Sequence, residues 1–280
     1  MSISNSPLRY PGGKSQFYNQ VVNILKENKI QHATYIEPFA GGAGVAIRLL
    51  LDGMVDSIVI NDIDVAIYAF WHTVVFENKW LIEKIKNTQI TIDEWNVQKA
   101  IYLAPNNHPI RELGFATLFL NRCNRSGILS AGPIGGKNQS GNYKIDCRFN
   151  KDNLITLIRR IGFFKNRIKI YNYDASVLIK KLRDIDNAFW FIDPPYYVKG
   201  AELYKNSFNS NDHKALSTVI NKYLSKQSWI LTYDVHDEIY NLYKHYQHEL
   251  ITLTYTIEKK KRENEYLFFN NLIVRKEMLL

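Results

Sequence analysis

Two cysteines in 280 residues, Cys123 and Cys147, are too few for a disulfide framework, and no Cys/His cluster has metal-ligand spacing. Disulfide-stapled secreted scaffolds and structural zinc modules are therefore excluded, and a metal-free protein in a reducing, cytoplasmic setting is expected. No uninterrupted apolar run reaches the roughly 18 residues of a membrane helix, so no membrane partner is expected. Met1–Tyr10 lacks the basic stretch, apolar core and cleavage site of a secretory signal. Internal repeats and low-complexity tracts are also missing. What the chain does have is 46% hydrophobic and 13% aromatic residues, which rules out a disordered composition and provides for a substantial core.

Charge is unevenly placed. Between Arg111 and Ile170 stand twelve basic residues against three acidic ones, an excess as large as the whole chain's net charge of +9. The remainder is neutral in sum, so the basicity belongs to one segment: a polyanion-binding surface or, more plainly, a solvated basic face. A second cluster, Lys259-Lys260-Lys261-Arg262, is predicted to lie between two closing strands, where it either grips a phosphate backbone or tips a solvated hairpin.

Strand and helix patterns alternate along the chain. Ser15–Glu27 predicts an amphipathic helix, Ala33–Ile36 a short strand, Gly44–Leu51 a helix start and Ser57–Ile60 a second strand. Ile63 to about Leu103 is helical in pattern, with Trp71, Trp80 and Trp95 read as core rather than as a ligand cage. Asn121–Asn142 carries five glycines among polar residues and predicts exposed loops or a hairpin. Strands follow at Ile168–Tyr171, Ala188–Ile192 and Trp229–Tyr233, helices at Ala175–Leu182 and near Asp212–Tyr223, and a closing strand pair at Leu250–Ile257 and Tyr266–Val274. The fold class is α/β: one Rossmann-like sheet interrupted by a basic, mainly helical insertion.

Several motifs fall at strand ends. Glu37-Pro38-Phe39-Ala40-Gly41-Gly42-Ala43-Gly44 follows a strand and opens a helix, a context in which glycines admit a ligand close to backbone amides. Asp62, 18 residues after Gly44 at the next strand's end, suits the ribose of an adenosine-containing cofactor. A glycine turn alone is also an ordinary tight turn, and an aspartate alone an ordinary helix cap. Asp174, in Tyr173-Asp174-Ala175, has the same two readings, N-cap or contact with a cofactor adenine. Gly12-Gly13-Lys14-Ser15 resembles the end of a phosphate-binding loop, but position 8, where that motif needs glycine, is Leu8, which excludes a nucleoside triphosphatase. Lys14 instead either pairs a positive charge with the aromatic face of Tyr10 at a helix start or serves in plain helix capping.

Asp193-Pro194-Pro195-Tyr196 is the most informative tetrad. It follows the apolar run Ala188–Ile192, which reads as a buried parallel strand, and so sits where open α/β sheets present chemistry. One carboxylate, two ring-locked residues and an aromatic face make a rigid loop able to hold a planar heterocycle by its amino edge.

Taken together, Pro7–Lys14, Glu37–Gly44, Asn61-Asp62-Ile63-Asp64 and Asp193–Tyr196 resemble the Dam-type DNA adenine-N6 methyltransferases over almost the full length, in the order cofactor half, inserted target-recognition region, catalytic half. The resemblance implies residues 1–64 and 165–280 as the catalytic domain and 65–164 as the inserted recognition region. It implies S-adenosylmethionine held by Tyr10, Lys14, Glu37, Pro38, Phe39, Ala40, Gly41, Gly42, Gly44, Asp62, Ile63, Asp174, Ala175 and Asp193, with no metal. Asp193, Pro194, Pro195 and Tyr196 become the catalytic residues that take an adenine flipped from double-stranded DNA. Arg122, Asn124, Arg125, Lys137, Lys144, Arg148 and Lys260 become the DNA contacts. Asn121–Gly127 follows the family's loop, whereas Ile128–Gly136 departs from GATC-reading members. A monomer serving a restriction-modification system with a cognate endonuclease is the expected setting. The rival readings are a methyltransferase for RNA or a protein amide, since a similar loop holds any planar amine, and a non-catalytic DNA-binding regulator.

Overall fold

The computed structural model describes residues 6–9, 17–198, 208–256 and 260–279, and of 253–256 and 260–262 the backbone alone. Tyr10 and Lys14, both expected at the cofactor, lie outside the described residues, as does the side chain of Lys260.

The first half runs α1 (Tyr18–Glu27), β1 (Thr34–Glu37), α2 (Gly44–Leu51), β2 (Ser57–Asn61), then five helices: α3 (Val65–Phe76), α4 (Asn78–Asn87), α5 (Ile92–Leu103), α6 (Ile110–Cys123) and α7 (Lys151–Phe163). The second half runs β3 (Ile168–Tyr171), α8 (Ala175–Leu182), β4 (Ala188–Ile192), α9 (Ser210–Tyr223), β5 (Ser228–Asp234), α10 (Asp237–Tyr243), β6 (Gln247–Thr256) and β7 (Lys260–Asn270). None of the described helices is long and apolar enough to cross a membrane.

The seven strands form one sheet in the order β3-β2-β1-β4-β5-β7-β6. The first five pair in parallel, and β7 runs antiparallel to both β5 and β6. Every residue of β4 is buried, which is why it reads as a continuous apolar run rather than an alternating one. Side chains alternate across the sheet. Tyr35, Ile58, Ile60, Phe189, Phe191 and Ile230 join a cluster with α1, α2, α3, α4, α6 and α7, while Ile36, Val59, Trp190, Ile192, Trp229 and Leu231 join one with α8, α9 and α10. Helices of the 65–163 region therefore share their core with one face of the sheet.

Chain order reverses between β1 and β4: the strands run β1, β2, β3 to one side of that junction and β4, β5 to the other. The carboxyl ends of β1 and β4 open the crevice where such sheets bind ligands. Helix α6 is seated tightly against α3: a Cβ at Gly114 would lie 2.2 Å from Thr73 Oγ1 and 2.5 Å from the Ala69 carbonyl, so only glycine fits that crossing.

Two expectations need correction. The closing strands begin earlier than predicted, so Lys260–Arg262 belong to β7 rather than to a tip between strands. The 121–142 stretch is not wholly loop: α6 extends through Cys123, and beyond it an isolated bridge, Asn124 to Pro133, takes the place of a hairpin. Charge and glycine masked the backbone pairing in both places.

Candidate active site at the strand switch point

The turn after β1 is built by its neighbours. Ala40 N–H donates to the Asn61 carbonyl (2.9 Å), Gly41 N–H to Asp62 Oδ2 (2.9 Å), and the buried Trp71 indole N–H to the Gly41 carbonyl (2.9 Å). Gly41 holds φ +46°, a left-handed value natural to glycine. Asn61, fully buried at the end of β2, ties three loops together: its amide donates to the carbonyls of Pro38 (2.8 Å) and Tyr173 (2.9 Å) and accepts from Tyr173 N–H (2.9 Å). The side chain of Asn172 donates to the carbonyls of Asp62 and Ile63. The expected cofactor residues Glu37 to Gly44, Asp62, Ile63, Asp174 and Ala175 thus lie at one sheet edge. Asp174 is exposed and caps α8 through Ser176 N–H (2.8 Å).

Two acids in this edge are held away from their ordinary ionisation. Burial pushes the Glu37 carboxyl up to about 8, only partly offset by Ala46 N–H donating to its Oε1, and the nearby Asp193 pushes the same way. Asp62 keeps one edge toward solvent, yet the protein around it raises its carboxyl to about 6 despite the Gly41 and Asp64 N–H donors. Helix α2 starts at Gly44 with no side-chain cap, beside both acids. The glycine turn thus sets backbone amides and two carboxyls side by side, groups that can bond the hydroxyls of a ligand.

The tetrad loop leaves β4 and is mounted on β5 and β7. Thr232 Oγ1–H donates to Asp193 Oδ1 (2.6 Å), and Tyr196 O–H donates to Glu265 Oε2 (2.6 Å). Asp234 accepts from the N–H groups of both Tyr197 (2.9 Å) and Val198 (2.8 Å). Thr232, Asp234 and Glu265 are all buried. The Tyr197 ring stacks on His236 at 4.1 Å, and Phe39 of the glycine turn meets Phe208, which stands just before α9, edge-on at 5.8 Å.

A strap made by residues 6–9 crosses from this turn to the end of α6. Ser6 Oγ–H donates to the Gly42 carbonyl. Asn121 accepts from Arg9 N–H (2.7 Å) and donates to the carbonyls of Arg9 (2.8 Å) and Gly127 (2.9 Å). Gly127 holds φ +77°, and a Cβ there would strike the Arg9 carbonyl at 2.5 Å. Arg122, expected at DNA, instead turns onto the strap and donates to the Pro7 carbonyl (2.6 Å). Asn124, also expected at DNA, is fully buried: it accepts from the Trp95 indole (2.7 Å) and donates to the carbonyls of Ile128 and Leu129. Both polar side chains are engaged with backbone and core in this arrangement. Arg125, Lys137, Lys144 and Arg148 are exposed around the same turn.

Asn61, Asn121, Thr232, Asp234 and Glu265 escape a reading of the sequence. Asn61 and Asn121 stand inside recognisable motifs, but nothing local shows that their amides bridge loops.

Among curated relatives, the type II methyltransferase M.MjaIII of Methanocaldococcus jannaschii is 26% identical over 235 residues, which cover 77% of this chain and 78% of that one. Modification methylase StsI of Streptococcus sanguinis is 24% identical over 230 residues, 76% of this chain and 32% of that much longer protein. A solved Legionella pneumophila structure aligns over 91% of this chain and 86% of its own at 10% identity and a TM-score of 0.33, a likeness too slight to bear on function. Residues 10–260 match the D12 class N6 adenine-specific DNA methyltransferases, a span that takes in strands β1 to β6, the strand ends at the switch point and the helical region between, and the chain belongs to that family.

Proposed function

We propose that this adenine-specific DNA methyltransferase works on an adenine swung out of double-stranded DNA, with Asp193, Pro194, Pro195 and Tyr196 receiving the base and the Glu37–Gly44 turn, Asp62, Ile63, Asp174 and Ala175 holding S-adenosylmethionine. The observation that carries this reading is that the glycine turn and the tetrad loop leave the carboxyl ends of the paired parallel strands β1 and β4, at the switch point of the sheet. S-adenosylmethionine supplies an electrophilic methyl group on a sulfonium centre. The target amine is a weak nucleophile because its lone pair is delocalised into the ring. Asp193 and the Pro194 carbonyl accept its two hydrogens, which localises that pair on nitrogen, and the proton shed after transfer leaves along the Asp193 hydrogen bond.

Alignment of reacting groups is worth roughly 7 to 11 kcal/mol in well-oriented systems. Swinging a base out costs a few kcal/mol, and stacking on the Tyr196 ring returns about 1 to 3. A cationic ligand bound beside Glu37 and Asp62 would draw both carboxyls toward their ionised forms. The helical region 65–164, with Arg125, Lys137, Lys144 and Arg148 on its surface, is the DNA-holding part, and one site per chain is consistent with a monomer.

The test is incubation with methyl-labelled cofactor and mixed-sequence duplex DNA, RNA or protein. Label should appear in DNA adenine alone, and Asp193→Ala should abolish transfer while retaining duplex binding. Label in RNA or protein, or full activity of Asp193→Ala, overturns the reading.

A further inference from the structure

Thr232 lies in the middle of the sheet, on β5 between β4 and β7, and is fully buried. A strand interior of this kind suits valine at least as well: both residues are β-branched, and valine carries no polar atom to desolvate. Threonine adds a single donor, and it is spent at 2.6 Å on Asp193 Oδ1. The hydroxyl donates and the side-chain oxygen of Asp193 accepts.

Register explains how the two residues meet. Phe191 and Ile192 pair with Ile230 and Leu231, so the next step along each strand places Thr232 beside Asp193, where β4 has ended and the chain turns into the loop. The carboxylate torsion of an aspartate is broad and roughly two-fold, so the backbone alone does not decide where its oxygens point. A hydrogen bond to one oxygen narrows that torsion, and thereby sets the aim of the other.

The remainder of the loop does not depend on that bond. Asp234 holds the amides of Tyr197 and Val198, and Glu265 holds the Tyr196 hydroxyl. Loss of the Thr232 hydroxyl therefore leaves the tetrad in place and acts on the aim of the Asp193 carboxylate.

We infer that Thr232 is a positioning residue for methyl transfer: its hydroxyl fixes the rotation of the Asp193 carboxylate so that Oδ2 meets the target amine. This rests on the reading of Asp193 given above. The aligned amine is the transition-state geometry, so the loss belongs in the transfer step and not in binding.

The measurement is single-turnover methyl transfer to duplex DNA by Thr232→Val, Thr232→Ser and Thr232→Ala, alongside duplex affinity, cofactor affinity and Tm. Thr232→Val should slow transfer by about tenfold to a hundredfold, the worth of a hydrogen bond to a charged group. Its affinities should stay within about twofold and its Tm at or above that of the parent, because valine fits the strand. Thr232→Ser keeps the donor and should recover transfer to within about threefold. Serine and alanine differ by one oxygen, so if the valine variant does not fold, a serine-over-alanine rate ratio of about ten or more supports the same role. A transfer rate for Thr232→Val near the parent's, a serine variant as slow as alanine, or rate, affinity and Tm falling together overturns the inference. Asp193→Ala assayed in parallel separates the layers: if it turns over normally the reading of Asp193 fails, and if it is inactive while Thr232→Val is unimpaired only the role of Thr232 fails.

Discussion

Glu37 closes β1 with a carboxyl that stays protonated to about 8, whereas the same group in an unfolded chain ionises near 4.5. Between those values the folded state binds more protons, so the stability Glu37 confers is complete below 4.5 and is lost as pH rises toward 8. Asp62 adds a shallower loss between 3.8 and about 6. In ligand-free protein Tm should fall as pH rises from about 6 to 8, and Glu37→Gln, which keeps a neutral side chain and an acceptor for Ala46 N–H, should flatten that decline. Parallel thermal scans of the two proteins check this; equal slopes would count against it. At this scale the tetrad and the glycine turn were legible because each is a local run of special residues. Thr232, Asp234 and Glu265 were not, because they meet the tetrad loop across 39, 37 and 69 residues of chain and stand in strands whose patterns are otherwise ordinary.

Helix α6 is tied to the glycine turn through the strap. Its end carries Asn121, which pairs with Arg9 much as a strand neighbour would, and Arg122, which holds Pro7; the strap they clamp reaches the Gly42 carbonyl through Ser6. Asn121→Ala leaves the Arg9 amide and two carbonyls without their partner and should cost about 2 to 4 kcal/mol, read as a shift in urea midpoint with unchanged m-value. Cofactor affinity should weaken in the same variant, because the strap braces the turn; a loss below about 0.5 kcal/mol would show that the strap is held elsewhere. The parallel strands β1 to β4 were legible as short apolar runs, each placed to within a residue or so. The course of α6 was not: its buried Gly114 and the polar residues at its end resemble loop composition, and only contact with α3 shows why glycine is there.

Over the whole molecule, the excess of positive charge sits on the α6–α7 side of the chain, with Arg125, Lys137, Lys144 and Arg148 exposed. Duplex binding should weaken steeply with salt, and each of Lys137→Ala, Lys144→Ala and Arg148→Ala that removes a phosphate contact should lower the slope of log affinity against log salt by about 0.9. A slope indifferent to all three would move the DNA to another face. The charge and the α/β rhythm were both visible in the sequence. Strand order was not, since periodicity does not say that β4 lies beside β1 or that the later strand of the closing pair inserts between β5 and β6.

That insertion gives the site a history. β7 is the last of the described strands in sequence order, yet it is an interior one, and it brings Glu265 to Tyr196. In chain order the glycine turn, the basic helices and the tetrad all precede residues 260–270, the segment that closes the gap between β5 and β6. The partner of the Tyr196 hydroxyl and one of the two neighbours of β5 thus come from a single late segment, so the setting of the tetrad loop is complete only once β7 has docked.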